Sequence, residues 1–579
     1  MEVKDITNRD VDFAKWYTEV CRKADLVDYS SVKGSMIIRP LGYAIWEEIQ
    51  KNMDRMFKET GHENVQMPMF IPESLLNVEK EHVKGFAPEV AWVTYGGQEK
   101  LEERMCVRPT SEVLFCDHYK KIINTYRDLP ILYNQWCTIV RWEKTTRPFL
   151  RSREILWQEG HTMHRTAEEA REETLRMFNV YKTFQENYLA LPVITGRKTE
   201  KEKFAGAEET YTLEAMMYNG YALQNGTSHY FGNHFAKAFG IKFTDSDNTL
   251  KTPYQTSWGV STRMIGAIIM THGDDHGLVL PPMIAPFKVI VIPIGDVATE
   301  LESLKNTLKE NGITFKVDES NKTPGFKFAE AEVKGYPIRI ELGKRDLENG
   351  HVTLVRRDTL EKIIVTFDEI VPRVKELLVT IQKDMFERAK TRRDSMIYDA
   401  KTYDELREIA TTKDGGFTKI NWCGDVTCEN KIKDDFGIKS RCLIENEDCE
   451  EQILTSGIDD EIFSRTKVPM TKNEVRVLSI SRLELTKNAV VYDVGSGTGS
   501  VSIECARLSP DIFVFAIEQK EEAANLTKEN VLDDFNKLEM KYKEFIHRSY
   551  IEGKSEQSMM AYFDMTIAVH KEGIYVRDL

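Results

Sequence analysis

The chain has 579 residues, 41% of them hydrophobic, and a formal net charge of −14 at pH 7. Single cores stop growing near ~250–300 residues, so this length predicts three or four domains. The acidic balance excludes a protein that grips nucleic acid through overall basicity, though not one with a local basic surface; no apolar run reaches the ~18 residues of a membrane span, and the N-terminus Met1-Glu-Val-Lys-Asp lacks the apolar core of a secretory signal, which predicts a cytoplasmic protein.

In chain order, the apolar period first predicts a helix over Asp10 to Ala24. Gln135-Trp-Cys-Thr-Ile-Val140 reads as a strand, and a polar, arginine-bearing loop joins it to a second strand-like run, forming a hairpin. Alternation of side chains would put Arg141 and Glu143 on one face at the end of the first strand. A guanidinium can fork onto phosphate or carboxylate there, and a carboxylate can accept from an amino group. Ala167 to Asn187 is a long charged helix leading into Leu189-Ala-Leu-Pro-Val-Ile. Strands and helices in runs, without regular alternation, predict an α+β domain with an antiparallel sheet.

At Pro286 the pattern changes. A strand, a helix over Ala298 to Asn311 ending at Gly312, and strands at Ile313-Thr-Phe-Lys-Val, Ile338-Arg-Ile-Glu-Leu and Val352-Thr-Leu-Val predict a small α/β domain with a mixed or parallel sheet. Its cations Lys327, Arg339, Lys344, Arg345, Arg356 and Arg357 cluster near glycines, which favours contact with RNA over a merely solvated face. A charged helix, Val371 to Thr411 with a break near Lys401, follows. Five of the nine cysteines (Cys21, Cys106, Cys116, Cys137, Cys505) fall in apolar patterns and read as reduced core residues. The other four, Cys423, Cys428, Cys442 and Cys449, crowd one region; a Cys-x4-Cys pair alone is a weak zinc signal, because structural zinc takes four ligands.

Three groups of words carry a resemblance to a known family. Val107-Arg-Pro-Thr-Ser-Glu112, Trp157-Gln-Glu-Gly-His161 with the preceding Arg141-Trp-Glu143, and Ser257-Trp-Gly-Val-Ser-Thr-Arg-Met-Ile-Gly266 together with Gly226-Thr-Ser-His229 resemble the motifs of class II prolyl-tRNA synthetases of the archaeal and eukaryote-like type, over roughly the first three quarters of the chain. The resemblance implies a class II catalytic fold over 1–285, its first motif the helix around Arg39 to Trp46 with a strand ending at Pro68, and an anticodon-binding domain over 286–390. It implies that proline is activated with ATP and Mg²⁺ and passed to the 3′ end of tRNA(Pro), and that the enzyme is a homodimer. By this likeness Arg141 lies on the α-phosphate and the proline carboxylate, Glu143 reads the adenine amino group, Arg151 reaches the outer phosphates, and Arg263 stacks on adenine or contacts the γ-phosphate. Gln224, Thr227 and Ser261 complete the ATP site. Thr110 and Glu112 accept from the secondary ammonium of proline, and Trp157, Glu159, His161 and His229 wall its ring. Lys327, Arg339, Lys344 and Arg345 are implied anticodon contacts. Between His161 and Gln224 there is no room for the large editing insertion of many bacterial relatives, so no cis editing is expected.

Beyond 390 the likeness changes. Ile420-Asn-Trp-Cys-Gly-Asp-Val-Thr-Cys428 resembles the start of the family's zinc-binding tail, expected over 391–455 in truncated form, with Cys423 and Cys428 as candidate Zn²⁺ ligands. From Gly457 to about Phe535 the sequence resembles the decarboxylating precorrin methyltransferase of cobalamin biosynthesis, a partial Rossmann-like segment over 456–536. There Asp493-Val-Gly-Ser-Gly-Thr-Gly499 follows a strand and opens a helix, and Glu518 ends the next strand. Gly495, Gly497 and Gly499 would let the backbone approach S-adenosylmethionine, and Glu518 would accept from its ribose. Residues 537–579 are unassigned. The rival readings are a methyltransferase with an inert synthetase part, and a non-catalytic tRNA- or protein-binding relative.

Overall fold

The computed structural model describes residues 6–82, 89–438 and 442–443, and, further on, residues 476, 480, 483, 490–494, 498, 500–507, 513–518 and 574–578. It divides into two units, 1–445 and 446–579. Among the described residues no helix is long and apolar enough to cross a membrane.

The first unit opens with helices α1 (Phe13–Lys23), capped by the Asp12 carboxylate, and α2 (Pro40–Glu59), which starts on a proline where the missing N–H costs nothing. No strand ends at Pro68; the chain makes a short β1 (Glu63–Asn64), and runs without a ladder to β2 (Phe70–Pro72). β2 pairs with β4 (Glu99–Val107), which also pairs with β3 (Trp92–Gly96). Helix α3 (Glu112–Ile122) leads to β5 (Ile131–Val140) and β6 (Glu154–His164), the expected hairpin. Helix α4 spans Ala167–Asn187, as its period predicts, its start fixed by a capping box between Thr166 and Glu169. The strands β7 (Val193–Arg197), β8 (Glu209–Met216), β9 (Ala222–Tyr230) and β10 (Tyr254–Ser261) follow, and then α5 (Arg263–His272).

These strands build one sheet in the order β7-β8-β9-β10-β6-β5-β1, antiparallel except at the β1–β5 edge, with Cys442–Leu443 added beside β7. One face is sealed by helices. Trp16, Trp46, Phe57, Tyr181 and Trp258 meet there in a core that includes residues of α1, α2, α4 and α5. The Trp258 ring occupies the space over Gly160, where a Cβ would come within 2.1 Å of it, so glycine on β6 is what lets the indole lie flat on the sheet. With that face filled by apolar bulk, the polar residues of alternate register are left for the other face.

The second part of this unit is β11 (Val289–Ile294), α6 (Ala298–Glu310), β12 (Phe315–Val317), α7 (Pro324–Lys334), β13 (Ile338–Gly343), β14 (Val352–Arg356) and β15 (Lys362–Val365). The sheet is mixed: β12, β11 and β13 run parallel, and β14 and β15 complete it antiparallel. It is tied to the first part through Arg357, whose guanidinium forks onto Asp274 at 2.7 and 2.8 Å in the turn after α5. The charged helix expected from Val371 to Thr411 with a break near Lys401 is α8 (Ile370–Ser395) and α9 (Tyr403–Thr412), and between them Ile397–Ala400 forms a strand, β16, that pairs in parallel with β17 (Phe417–Ile420). Helix α10 (Val426–Phe436) closes the described tail against residues 199–202: Glu429 accepts from Thr199 at 2.7 Å, and Lys433 pairs with Glu202.

In the second unit, β18 (Val490–Val494), β19 (Phe513–Glu518) and β20 (Ile574–Asp578) form a parallel three-stranded sheet, with helix α11 (Ser500–Arg507) between the first two in sequence. The Ser502 hydroxyl donates to Asp493 at 2.6 Å. The two strands expected here are present, and the stretch left unassigned in the sequence supplies the third. The loop glycines Gly495, Gly497 and Gly499 lie outside the described residues.

Candidate active site

The open face of the main sheet carries two polar rows set by register. Thr212, Thr227, Gly259, Glu159 and Gln135 stand opposite one another across β8, β9, β10, β6 and β5. Two residues along each strand, and therefore on the same face, lie Thr210, His229, Ser257, His161 and Tyr133. Trp157 and Cys137 pair one step the other way, next to Ser261.

At the β6 end the groups are buried and closely coupled. Glu159 Oε1 accepts from the Ser111 hydroxyl at 2.5 Å and from the Gln135 amide at 2.6 Å, and Oε2 lies 3.1 Å from His161 Nε2. Burial opposes its ionisation, but the donors His161, Ser111 and Gln135 outweigh that and hold its carboxyl below the usual value. Glu112, at the first position of α3, has one side-chain donor, Thr110. Burial, with the Glu159 charge adding to it and His161 and Thr110 opposing, raises the Glu112 carboxyl. His161 stacks on Phe115 at 4.2 Å, and its Nδ1 has no partner. His229 is bonded to Thr210 through Nδ1 at 3.0 Å and packs against Phe204; burial lowers it to about 3, so its ring is neutral.

Arg141 bridges this pocket to the rest of the face. It lies just past β5, not in it: its N–H donates to Arg153 O at 2.8 Å, and Glu143 N–H turns back to Arg141 O at 2.7 Å. The expected side-by-side pair on a strand face is therefore a turn, and Glu143 lies 3.8 Å from Arg151. The Arg141 Nε donates to Pro109 O at 3.1 Å and its guanidinium sits 5.1 Å from the Trp157 ring. Arg263, at the start of α5, donates to Gln224 O at 3.2 Å; burial and then the charges of Arg141 and Arg151 lower it. Three guanidiniums that repel one another around a half-buried space form a site for a polyanion.

The structure thus brings together Thr110, Glu112, Arg141, Trp157, Glu159, His161 and His229 at one end, and Glu143, Arg151, Gln224, Thr227, Ser261 and Arg263 at the other. The cations of the small domain divide. Lys327 donates to Asp318 O, and Arg339 is held by Glu341 and Glu332, both cations buried, whereas Lys344 and Arg345 face solvent. Arg356 and Arg357 are likewise buried in ion pairs. An amphipathic pattern cannot separate the two sets, because the inward cations are buried by partners of every range: a backbone carbonyl for Lys327, the nearby Glu332 and Glu341 for Arg339, and the distant Asp384 and Asp274 for Arg356 and Arg357. Ser111, Gln135, Cys137, Phe115 and Phe204 were not anticipated. Ser111 lies inside a quoted motif, but Gln135 gave only the signal of a polar residue in an apolar strand.

Glu112, Glu159 and His161 also have the composition of a metal site, with ligand atoms within 4.8 Å of one another. Both Glu159 oxygens are already hydrogen-bonded and Arg141 is close enough to be stabilised by both carboxylates, so the pocket suits a cation of low charge that carries its own donors. For zinc, Cys423 and Cys428 lie 3.2 Å apart, Sγ to Sγ, and are exposed. Two thiols are half of a tetrahedral set. Cys442 is described only as part of a strand and Cys449 lies outside the described residues, so the described residues do not make a zinc site.

The chain is similar to known proteins over most of its length. Residues 92–272 match the model of the tRNA synthetase class II core domain (G, H, P, S and T). Residues 288–377 match an anticodon binding domain, 403–461 the prolyl-tRNA synthetase C-terminal domain, and 461–543 a precorrin methyltransferase domain. The proline–tRNA ligase of Lachnospira eligens is 62% identical over 445 residues, covering 76% of this chain and 93% of that protein. That of Clostridium novyi is 60% identical over 460 residues, 79% and 96% of the two chains. A crystal structure of prolyl-tRNA synthetase from Cryptosporidium parvum, complexed with halofuginone and AMPPNP, superposes with a TM-score of 0.72 at 40% identity, covering 75% of this chain and 91% of that one.

Proposed function

This chain belongs to the class II prolyl-tRNA synthetases, the proline–tRNA ligases, and from that premise we propose how its residues divide the reaction. ATP and a divalent metal are its general cofactors and tRNA(Pro), proline and ATP its substrates. The observation that carries the reading is the junction of two unlike pockets by one guanidinium. The triphosphate lies toward Arg151 and Arg263, with adenine between Arg263 and Glu143 and the ribose end near Gln224, Thr227 and Ser261. Proline lies over Gly259 with its ammonium on Thr110 and Glu112, its ring bounded by Trp157, His161 and His229.

Arg141 then faces both the proline carboxylate and the α-phosphate. The carboxylate attacks the phosphorus in line, pyrophosphate leaves, and the guanidinium offsets the charge gathered at the α-phosphate. Mg²⁺, when bound, offsets charge on the leaving phosphates; Glu143 and Gln224 are the carboxylate and amide that would border it. In the second step the 3′-terminal ribose hydroxyl of tRNA(Pro) attacks the prolyl carbonyl and AMP departs. The neutral His229 adds no charge to compete with the ammonium. Proline-dependent ATP–pyrophosphate exchange, with Arg141→Ala as the comparison, tests the assignment.

We extend the proposal to the domains and partners. The catalytic part spans 1–285, the anticodon-binding part 286–390 and a shortened tail 391–455, in a cytoplasmic homodimer without cis editing, since 165–221 holds only α4, β7, β8 and their connections. The subtype is the archaeal and eukaryote-like one, supported by the tail-domain match and the likeness to the Cryptosporidium enzyme, although the relatives just described are bacterial. Anticodon contact falls on Lys344 and Arg345, the exposed pair at the start of Lys344–Glu348. Replacing both by alanine is expected to raise the KM for tRNA(Pro) roughly tenfold while leaving proline-dependent exchange unchanged. Zinc, if the tail takes it up, has no part in activation, because both described thiols are far in the chain from the pocket residues and touch none of them.

A second reading rests on the methyltransferase match and on the strand–loop–helix–strand around Asp493. We take 456–536 as a remnant. Among the described residues its sheet has three strands, β18, β19 and β20. Isothermal titration with S-adenosylmethionine is expected to give no binding heat; micromolar affinity would restore the second reading.

A further inference from the structure

Gln135 lies outside every motif, yet it joins three segments that meet at the amino-acid pocket. It is fully buried on β5. Its Oε1 accepts from the Met67 N–H at 3.1 Å, on the chain leading to β2. Its Nε2 donates to the Ser111 hydroxyl at 2.9 Å and to Glu159 Oε1 at 2.6 Å, and Ser111 itself donates to the same Oε1. The triangle Gln135–Ser111–Glu159 is closed, and Met67 N–H and His161 engage the oxygens it leaves over.

This arrangement gives the two carboxylates of the pocket different tasks. Glu159 spends Oε1 on Gln135 and Ser111 and Oε2 on His161, so it has little left for a ligand. Glu112, beside it in the fold and next to Ser111 in the chain, has one side-chain donor, the Thr110 hydroxyl. Were Glu159 free to turn, it could take the ammonium in a second, unproductive pose, and Ser111 would lose the bond that fixes the Thr110-Ser111-Glu112 turn against β6. We propose that Gln135 is a positioning residue for proline: its amide commits Glu159 and Ser111 to each other, so that Glu112 alone presents its carboxylate to the secondary ammonium and His161 keeps one ring orientation. The inference rests on the reading of Thr110 and Glu112 as the ammonium site.

The test compares Gln135→Met, of similar shape without the hydrogen bonds, with Gln135→Glu, which keeps the acceptor for Met67 and sets a second carboxylate against Glu159. Proline-dependent exchange is measured as a function of proline, ATP and pH on full-length protein whose melting is followed in parallel. For Gln135→Met the KM for proline is expected to rise about tenfold or more with the KM for ATP within twofold. For Gln135→Glu the excess over wild type should narrow as pH falls, since a protonated carboxyl can again donate to Glu159; this variant decides the matter should the first not fold. A proline KM within twofold of wild type, or proline and ATP KM values rising together, would overturn the proposal. Glu112→Gln separates it from the site reading: if that variant raises the proline KM and Gln135→Met does not, only the role of Gln135 falls, and if neither does, the ammonium site falls with it.

Discussion

Arg141→Ala is expected to lower proline-dependent exchange by roughly 10²–10³-fold in kcat/KM, the cost of removing one preorganised donor from a developing anion, and here the loss is doubled in kind. The same guanidinium faces both reactants, so the variant should lose proline affinity as well as rate. It also balances Glu112, Glu159 and Glu143, whose charges hold its proton against the effect of burial; without it two buried carboxylates are left facing an empty space. Lysine should restore little, because an ammonium cannot donate to Pro109 O, face the Trp157 ring and fork onto a phosphate at once. Exchange assays on the alanine and lysine variants decide it. Activity within tenfold of wild type in either would remove Arg141 from the centre of the reaction.

How far the sequence reached depends on the range of each interaction. The helix Ala167–Asn187 was legible to the residue because its ends are encoded locally, by Thr166 and Glu169 at one end and the loss of apolar period at the other. The hairpin was legible too, but the turn at Arg141–Glu143 was not, since the ladder stops where Arg153 N–H donates to the distant Gly34 O and Arg141 O accepts instead from Glu143 N–H, bonds that no alternation pattern contains. The break expected near Lys401 falls where the first helix ends at Ser395 and the next begins at Tyr403, but the strand inside it was not legible, since Ile397–Ala400 pairs with the distant Phe417–Ile420. Among site residues, the motif words carried Thr110, Glu112, Trp157, Glu159 and His161 into one pocket. They could not say that Glu159 is fully hydrogen-bonded and Glu112 is not, because that difference is made by Gln135, far from both words. The basic cluster divided on burial, even where the partners are near in the chain. Arg339 and Lys344 look alike in sequence and are opposite in burial, the first held by Glu332 and Glu341, the second in solvent.

Glu112→Gln is expected to raise the KM for proline about 10- to 150-fold, the value of a hydrogen bond to a charged partner at roughly 1.5–3 kcal/mol, while kcat at saturating proline changes far less. The pH dependence gives the sharper result. In the empty pocket burial raises the Glu112 carboxyl, so the wild-type enzyme keeps a proton there above the ordinary range near 4.3. A secondary ammonium binds the ionised form, so the proline KM should fall as pH rises through the Glu112 value and then level, whereas the glutamine variant should show no such limb. Stability runs the other way. A carboxyl whose folded pKa is raised favours the native state fully below its unfolded pKa, and that contribution is lost as pH rises through the folded value. Once ionised, Glu112 is a charge that burial in the unliganded pocket disfavours, so Glu112→Gln should melt no lower than wild type and gain less from added proline. Differential scanning calorimetry with and without proline, beside the KM profile, separates this from simple damage. A glutamine variant that melts lower and keeps the wild-type pH limb would place the ammonium on some other group, and the strain attributed to Glu112 would have no function to explain it.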